Sequence, residues 1–206
     1  MEARTPPSVI LIGGSSHAGK SSAAAALAAR LDRPVLSTDS LARHPGRPWR
    51  PGGEAPPRTS PNTMAPLAPE ELIASVLDHY RNMWPMVRAL IERHVHEPAL
   101  GPLVLEGSAL WPPSVAELDL ASVGAVWITA SGELFSSRIR RESDYARRDA
   151  EGRRLIDSFL ARTEIYDARM MKAVRRLGLP FVEAKSGEAV QALADRCLRR
   201  IMDARA

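Results

Sequence analysis

Eight consecutive residues from Gly14 to Ser21, GSSHAGKS, satisfy G-x-x-x-x-G-K-[ST], the pattern of a phosphate-binding loop. Glycines let backbone N–H groups curl round a polyphosphate, and the N-terminus of a following helix adds its positive dipole to the same spot. A nucleotide cradle is therefore expected from Gly14, Ser15, Ser16, His17, Ala18, Gly19, Lys20, Ser21 and Ser22. In it Lys20, solvent-facing while the loop is empty, reaches the β- and γ-phosphates, and the Ser21 hydroxyl ligates Mg²⁺. An ordinary glycine turn between a strand and a helix has no need of a lysine and a hydroxyl at two fixed consecutive positions.

Phosphoryl transfer to a hydroxyl also needs a proton acceptor and cations on the group in flight. Asp39 ends an apolar run, PVLST, and Glu106 ends another, PLVLE. A carboxylate at the C-terminal end of a strand faces the phosphates in an open parallel sheet, so Asp39 is a candidate base and substrate ligand, and Glu106 serves the Mg²⁺ shell or the acceptor. Asp39 would equally cap a helix beginning SLAR, and Glu106 could be a turn residue. Seven arginines lie between Arg138 and Arg154. Arg138 and Arg141 stand one helical turn apart on one face and are assigned as lid arginines, with Arg147 and Arg148 behind them. The others read as a solvated surface paired with Glu142, Asp144, Asp149 and Glu151.

The elements that must hold these residues are legible from hydrophobic period. Val9 to Ile12 run without a polar break into Gly13 and Gly14, a buried strand ending in a tight turn, and SSAAAALAARL continues as helix from about Lys20 to Leu31. A helical period covers PEELIASVLDHYRNMWPMVRALIERHVH, with Pro85 expected to kink or split it. A fourth strand, VGAVWIT, precedes a short helix, ELFSSRIRRE. A long amphipathic helix from roughly Arg153 to Leu177 places Leu155, Phe159, Thr163, Tyr166, Met170 and Val174 on one face. A fifth strand, LPFVEA, leads to a last helix burying Val190, Leu193, Cys197 and Ile201. Strands alternating with helices after such a loop specify a doubly wound, five-stranded parallel sheet with helices on both faces.

From His44 to Pro69 the chain is dense in proline and glycine and almost empty of aliphatics, so neither helix nor ordinary strand is expected. Long loops inside compact domains are usually functional or disordered. This one follows Asp39 directly, and it reads either as a substrate-side flap, with Arg43, Arg47 and Trp49 nearest the site, or as a passive insertion. The expected organisation is one domain over 1–206, with the flap at 44–69, a helical substrate-side insertion at about 70–97 and the arginine-rich lid at about 138–154.

Composition excludes several alternatives. Of the 206 residues one is cysteine, Cys197, which rules out an intramolecular disulfide and cysteine-based zinc modules and suits a reducing cytoplasm. No apolar run approaches the ~20 residues of a membrane helix, and MEARTPPS lacks the apolar core of a signal peptide. The net charge of +4 comes with only 5% aromatics, without the basic and aromatic interleaving of nucleic-acid platforms. His79, His94 and His96 have no carboxylate or cysteine completing a metal set.

GGSSHAGKS followed by STDSL resembles chloramphenicol phosphotransferase, and STDSLAR, LEGSALWP and FSSRIRRES are similar to the 2-phosphoglycerate kinase-like family. Both are P-loop small-molecule kinases related to the nucleoside monophosphate kinases. The resemblance implies that Lys20 and Ser21 hold ATP and Mg²⁺, that Asp39 is the base and that Glu106 lies near the acceptor. The expected activity is transfer of the γ-phosphoryl group of ATP to a hydroxyl of a small metabolite or antibiotic-like acceptor. A nucleoside or nucleotide kinase is the neighbouring alternative, and a nucleotide-dependent switch or scaffold is the alternative of another class. A guanine-reading N-K-x-D is absent.

Overall fold

A computed structural model describes residues 5–41, 69–118 and 121–204. Strand β1, Val9–Gly14, is buried along its whole length. It pairs in parallel with β3, Leu103–Glu106, on one side and with β4, Val123–Ala130, on the other. The edges are β2, Val35–Ser37, and β5, Phe181–Ala184, giving the all-parallel order β2-β3-β1-β4-β5. From β1 the chain goes out to the edge at β2, returns to β3 beside β1, and then crosses to β4 and β5 on the other side, which is the expected doubly wound sheet.

Alternation along β1 assigns its two faces. Ile10 and Ile12 pack against α1, Lys20–Leu31, and α6, Val190–Asp203, through Ala24, Leu27, Leu193, Cys197 and Ile201. Val9 and Leu11 face the other way, against α2, Pro69–His96, and α5, Ala150–Arg176, through Ile73, Val87, Ile91, Met170 and Val174. Each such fully buried aliphatic contributes roughly 1.5–3 kcal/mol over its exposed state. Two further helices are α3, Pro112–Ala116, and α4, Gly132–Glu142. Ser131 caps α4 by accepting from the Leu134 N–H at 3.2 Å, and Asp149 caps α5 by accepting from the Gly152 N–H at 2.8 Å.

Several expectations are corrected. Pro85 neither splits nor ends α2, which runs as one helix. The proline is on the exposed face, where water can satisfy the carbonyl it leaves unpaired, while Met83, Val87 and Ile91 are buried on the opposite side. Among the described residues Asp39 caps no helix. Thr38–Ser40 form a single 3₁₀ turn, and the Ser37 hydroxyl accepts from the Asp39 N–H at 3.3 Å. On α5, which starts three residues earlier than its apolar period suggested, Ile156 is buried while Leu155 is half-buried. Val190 is 39% exposed at the first turn of α6. Short α3 was not legible; two prolines open it. Arg43, Arg47, Trp49 and the proline-rich stretch lie outside the described residues, except that Pro69 begins α2.

Gly107, just past β3, has φ +153, and a Cβ there would overlap the Thr38 side chain. This close approach brings the turn carrying Asp39 against the end of β3. Gly107→Ala should therefore destabilise the fold by about 2 kcal/mol or more, read as a lower urea midpoint at unchanged slope. An unchanged midpoint would show that the two turns need not touch.

Candidate active site

The parallel register brings the functional side chains to one edge of the sheet. Glu106 is level with Ile12 of β1 and with Ser37 of β2, so the residues following β1, β2 and β3 open onto the same crevice. Gly14 has φ +143, and a Cβ on it would overlap the carbonyl of Ile128, so the turn out of β1 requires glycine. Gly19, φ +106, is the N-cap of α1, and the Ala18 N–H donates to the Ser15 carbonyl at 3.3 Å, closing the loop on itself.

Lys20 is not solvent-facing. It is buried, and its ammonium donates to the Ser15 carbonyl at 2.8 Å. A lysine at the mouth of a helix otherwise faces the positive helix dipole, and the carbonyl neutralises it inside the loop. Ser21 donates to Glu106 Oε1 at 3.1 Å, and Glu106 is buried at 5% exposure. Glu106 is thereby set beside the Ser21 hydroxyl. One hydroxyl and one carboxylate suit Mg²⁺, which is usually held by one or two carboxylates together with nucleotide phosphates and water. Among the described residues no three or more His, Cys, Asp or Glu side chains are grouped so that they could hold a metal ion.

A cavity of about 620 Å³ is lined by Ser16, His17, Gly19, Lys20, Ser21, Ser22, Asp39, Glu106, Arg138 and Arg141, and continues to Glu188, Val190 and Leu193 beyond β5. Of the predicted cradle, Gly14, Ser15 and Ala18 stand behind the cavity wall: Gly14 against β4, Ala18 in the core, and Ser15 fully buried. Both assigned lid arginines line the cavity. Arg138 donates to the His17 carbonyl at 2.8 Å; burial first, and then the neighbouring Arg141, hold its pKa below the ordinary arginine value. His17, with φ +63, is met by Glu142 of α4 at 3.0 Å, so α4 grips the loop at two points.

Four of the other five arginines of that stretch are engaged away from the site. Arg147 pairs with Asp144 at 3.7 Å, Arg148 donates to the Ser143 carbonyl at 2.8 Å, and Arg140 and Arg153 flank the Tyr145 ring at 4.8 and 5.7 Å. Arg147 and Arg148, the next candidates after Arg138 and Arg141, do not line the cavity.

A second cavity, of about 230 Å³, adjoins the first and shares Ser16, Asp39 and Ser108 with it. Its wall is Ile73, Val76, Tyr80, Phe159, Arg162, Thr163 and Tyr166. Burial, and secondarily the Asp39 carboxylate, raise the Tyr80 phenol above its ordinary pKa, and burial does the same at Tyr166, so both remain protonated donors. Tyr166 donates to the Ser108 carbonyl at 2.6 Å, and the Ser108 hydroxyl donates to the Gly14 carbonyl at 2.9 Å. The Arg162 guanidinium lies over the Phe159 ring at 4.6 Å. Sequence reading missed Ser108, Tyr80, Tyr166 and Arg162. The aromatic residues read as core, and Arg162 lies in a helix of many arginines with no local mark to separate it.

No protein-family model and no curated protein matches the chain. Solved structures do match. A gluconokinase from Sinorhizobium meliloti 1021 is 18% identical, covering 98% of this chain and 95% of its own with a TM-score of 0.56. A shikimate kinase from Acinetobacter baumannii in complex with shikimate is also 18% identical, over 97% of this chain and 95% of its own, with a TM-score of 0.53. The fold is accordingly the α/β fold seen in these P-loop kinases.

Lys20→Ala should abolish nucleotide binding measured by calorimetry. Because the ammonium is buried and bonded, it should also lower stability by about 1 kcal/mol. Wild-type affinity in the variant would remove the loop from the nucleotide site.

Proposed function

We propose that the protein is an ATP- and Mg²⁺-dependent kinase that phosphorylates a hydroxyl of a small, anionic acceptor. The observation that carries this reading is the meeting of two cavities at Ser16, Asp39 and Ser108, a large one at the phosphate-binding loop and a small one behind it. A γ-phosphate in the first would face a hydroxyl in the second across Asp39.

In this reading Lys20 leaves the Ser15 carbonyl for the β- and γ-phosphates, and Ser21 with Glu106 holds Mg²⁺, which when bound neutralises phosphate charge. Asp39 accepts the acceptor's proton as its oxygen bonds to the γ-phosphorus and the bond to the bridging oxygen of ADP breaks. Arg138 and Arg141 stabilise the phosphoryl group in flight. Arg162 lines the acceptor cavity and not the nucleotide cavity, so it is assigned to an acceptor carboxylate or similar anion, with Tyr80 donating to acceptor oxygens and Ile73 and Val76 against its hydrocarbon face. Gluconate and shikimate, the acceptors named for the two matching kinases, are hydroxylated carboxylates, which agrees with this chemistry. The resemblance to chloramphenicol phosphotransferase keeps antibiotic-like acceptors among those to be tried. The stretch 44–69, with Arg43, Arg47 and Trp49, is assigned as a flap over the acceptor. A cytoplasmic location is part of the proposal; no helix among the described residues is long and apolar enough to cross a membrane.

A panel of sugar acids, cyclic hydroxy acids, nucleosides and neutral antibiotics, scored by ADP release and phosphorylated product, tests the assignment. Hydroxylated anions should be the substrates, and Arg162→Met should raise their KM about 10-fold or more with the KM for ATP unchanged. A neutral acceptor turned over best, indifferent to Arg162→Met, would overturn the anionic class; nucleotide binding without turnover on any acceptor would favour a switch.

Asp39→Asn should lower transfer by roughly 10²-fold or more while nucleotide binding persists and stability changes by less than about 0.5 kcal/mol. A rate within a few-fold of wild type would remove Asp39 from the chemistry.

A further inference from the structure

Asp167 is a buried carboxylate on α5 that the proposed chemistry does not use. It is 9% exposed. The fully buried Ser15 hydroxyl donates to its Oδ1 at 2.5 Å, and the Thr129 hydroxyl, near the end of β4, donates to its Oδ2 at 2.6 Å. One side chain thus ties the phosphate-binding loop to β4 from a helix more than 150 residues farther along the chain.

Desolvation is the largest influence on this carboxyl and raises its pKa above the ordinary aspartate value, while the two hydroxyls pull the other way. A carboxylate bridging two hydroxyls is a costly way to fill a core, since a neutral pair would bury with a smaller penalty. Its geometry is what a neutral group would not reproduce. An ionised carboxylate accepts from both hydroxyls at once; the nitrogen end of an amide only donates, so the hydroxyl on that side would have to reverse its bond and accept.

Ser15 is also the residue whose carbonyl receives the Lys20 ammonium and the Ala18 N–H. When Lys20 moves to a phosphate, the carbonyl loses its strongest partner, and the bond from the Ser15 side chain to Asp167 still holds the residue in place. We propose that Asp167 is a positioning residue that, through the Ser15 hydroxyl, keeps the phosphate-binding loop curled in its nucleotide-accepting form. The proposal rests on the reading of that loop as the nucleotide site.

Asp167→Asn, Ser15→Ala and the double variant are compared with the wild-type chain by calorimetric titration with Mg-ATP, with melting temperatures recorded alongside and titrations run well below them. Each single variant should bind Mg-ATP about 10-fold or more weakly. The double variant should be no weaker than the worse single one, because both changes act through the same Ser15–Asp167 bond. Affinities within two-fold of wild type in both folded single variants, whatever their melting temperatures, would overturn the proposal and leave Asp167 a packing residue. Losses that add fully in the double variant would overturn it too. Should Asp167→Asn fail to fold, Ser15→Ala, which removes the same bond from the loop side, decides alone. A wild-type chain that does not bind Mg-ATP would instead overturn the functional reading of the loop.

Discussion

The parallel hydrogen-bond ladder is the constraint on which the rest depends. β1 is held between β3 and β4, with β2 outside β3 and β5 outside β4, and every strand points the same way. Parallel pairing demands crossover helices, and crossovers leave all the strand C-termini on one edge. Ser21, Asp39 and the turn from Glu106 to Ser108 are far apart in the chain and line one cavity for this reason. Once Ile12, Glu106 and Ser37 are in register, a phosphate-binding loop after β1 has carboxylates beside it with no special folding of the intervening segments.

Charge is arranged with the same economy. Most arginines of the stretch after β4 are held by local carboxylates, carbonyls or the Tyr145 ring, and the pairs with exposed members add little stability. Arg138 and Arg141 remain on the face of α4 that meets the cavity, and α4 is fastened to the loop by Glu142 and Arg138. Arg162, on a different helix, faces a different cavity. Position on a helix face, rather than the number of arginines, separates the three.

Sheet topology, the loop and its helix were legible because each rests on local pattern: an apolar run into glycine, a lysine and serine at fixed spacing, and a helical period. Asp39 and Glu106 were legible because strand ends are. Tyr80, Tyr166 and Phe159 were not, since an aromatic residue at helical spacing looks the same whether it faces a core or a cavity, and here Phe159 and Tyr166 do both. The apolar period of α2 concealed that Pro85 falls on its wet side. Lys20 was misread as solvent-facing because the pattern specifies the residue and not its resting partner, which is a carbonyl inside its own loop. Asp167 gave no signal at all: Ser15 and Thr129 are brought to it only by the finished fold.

The sharing of Ser16, Asp39 and Ser108 between the two cavities has a consequence for fidelity. Because these three side chains line both spaces, the cavities adjoin with Asp39 between them. In a kinase built this way, water filling the smaller space would be the rival nucleophile, within reach of the same carboxylate. An acceptor filling that space would exclude the water. Phosphate would then be spared from futile hydrolysis to the degree that a molecule displaces solvent from Ile73, Val76 and Phe159, which turns the snugness of the guest into a condition for efficient transfer.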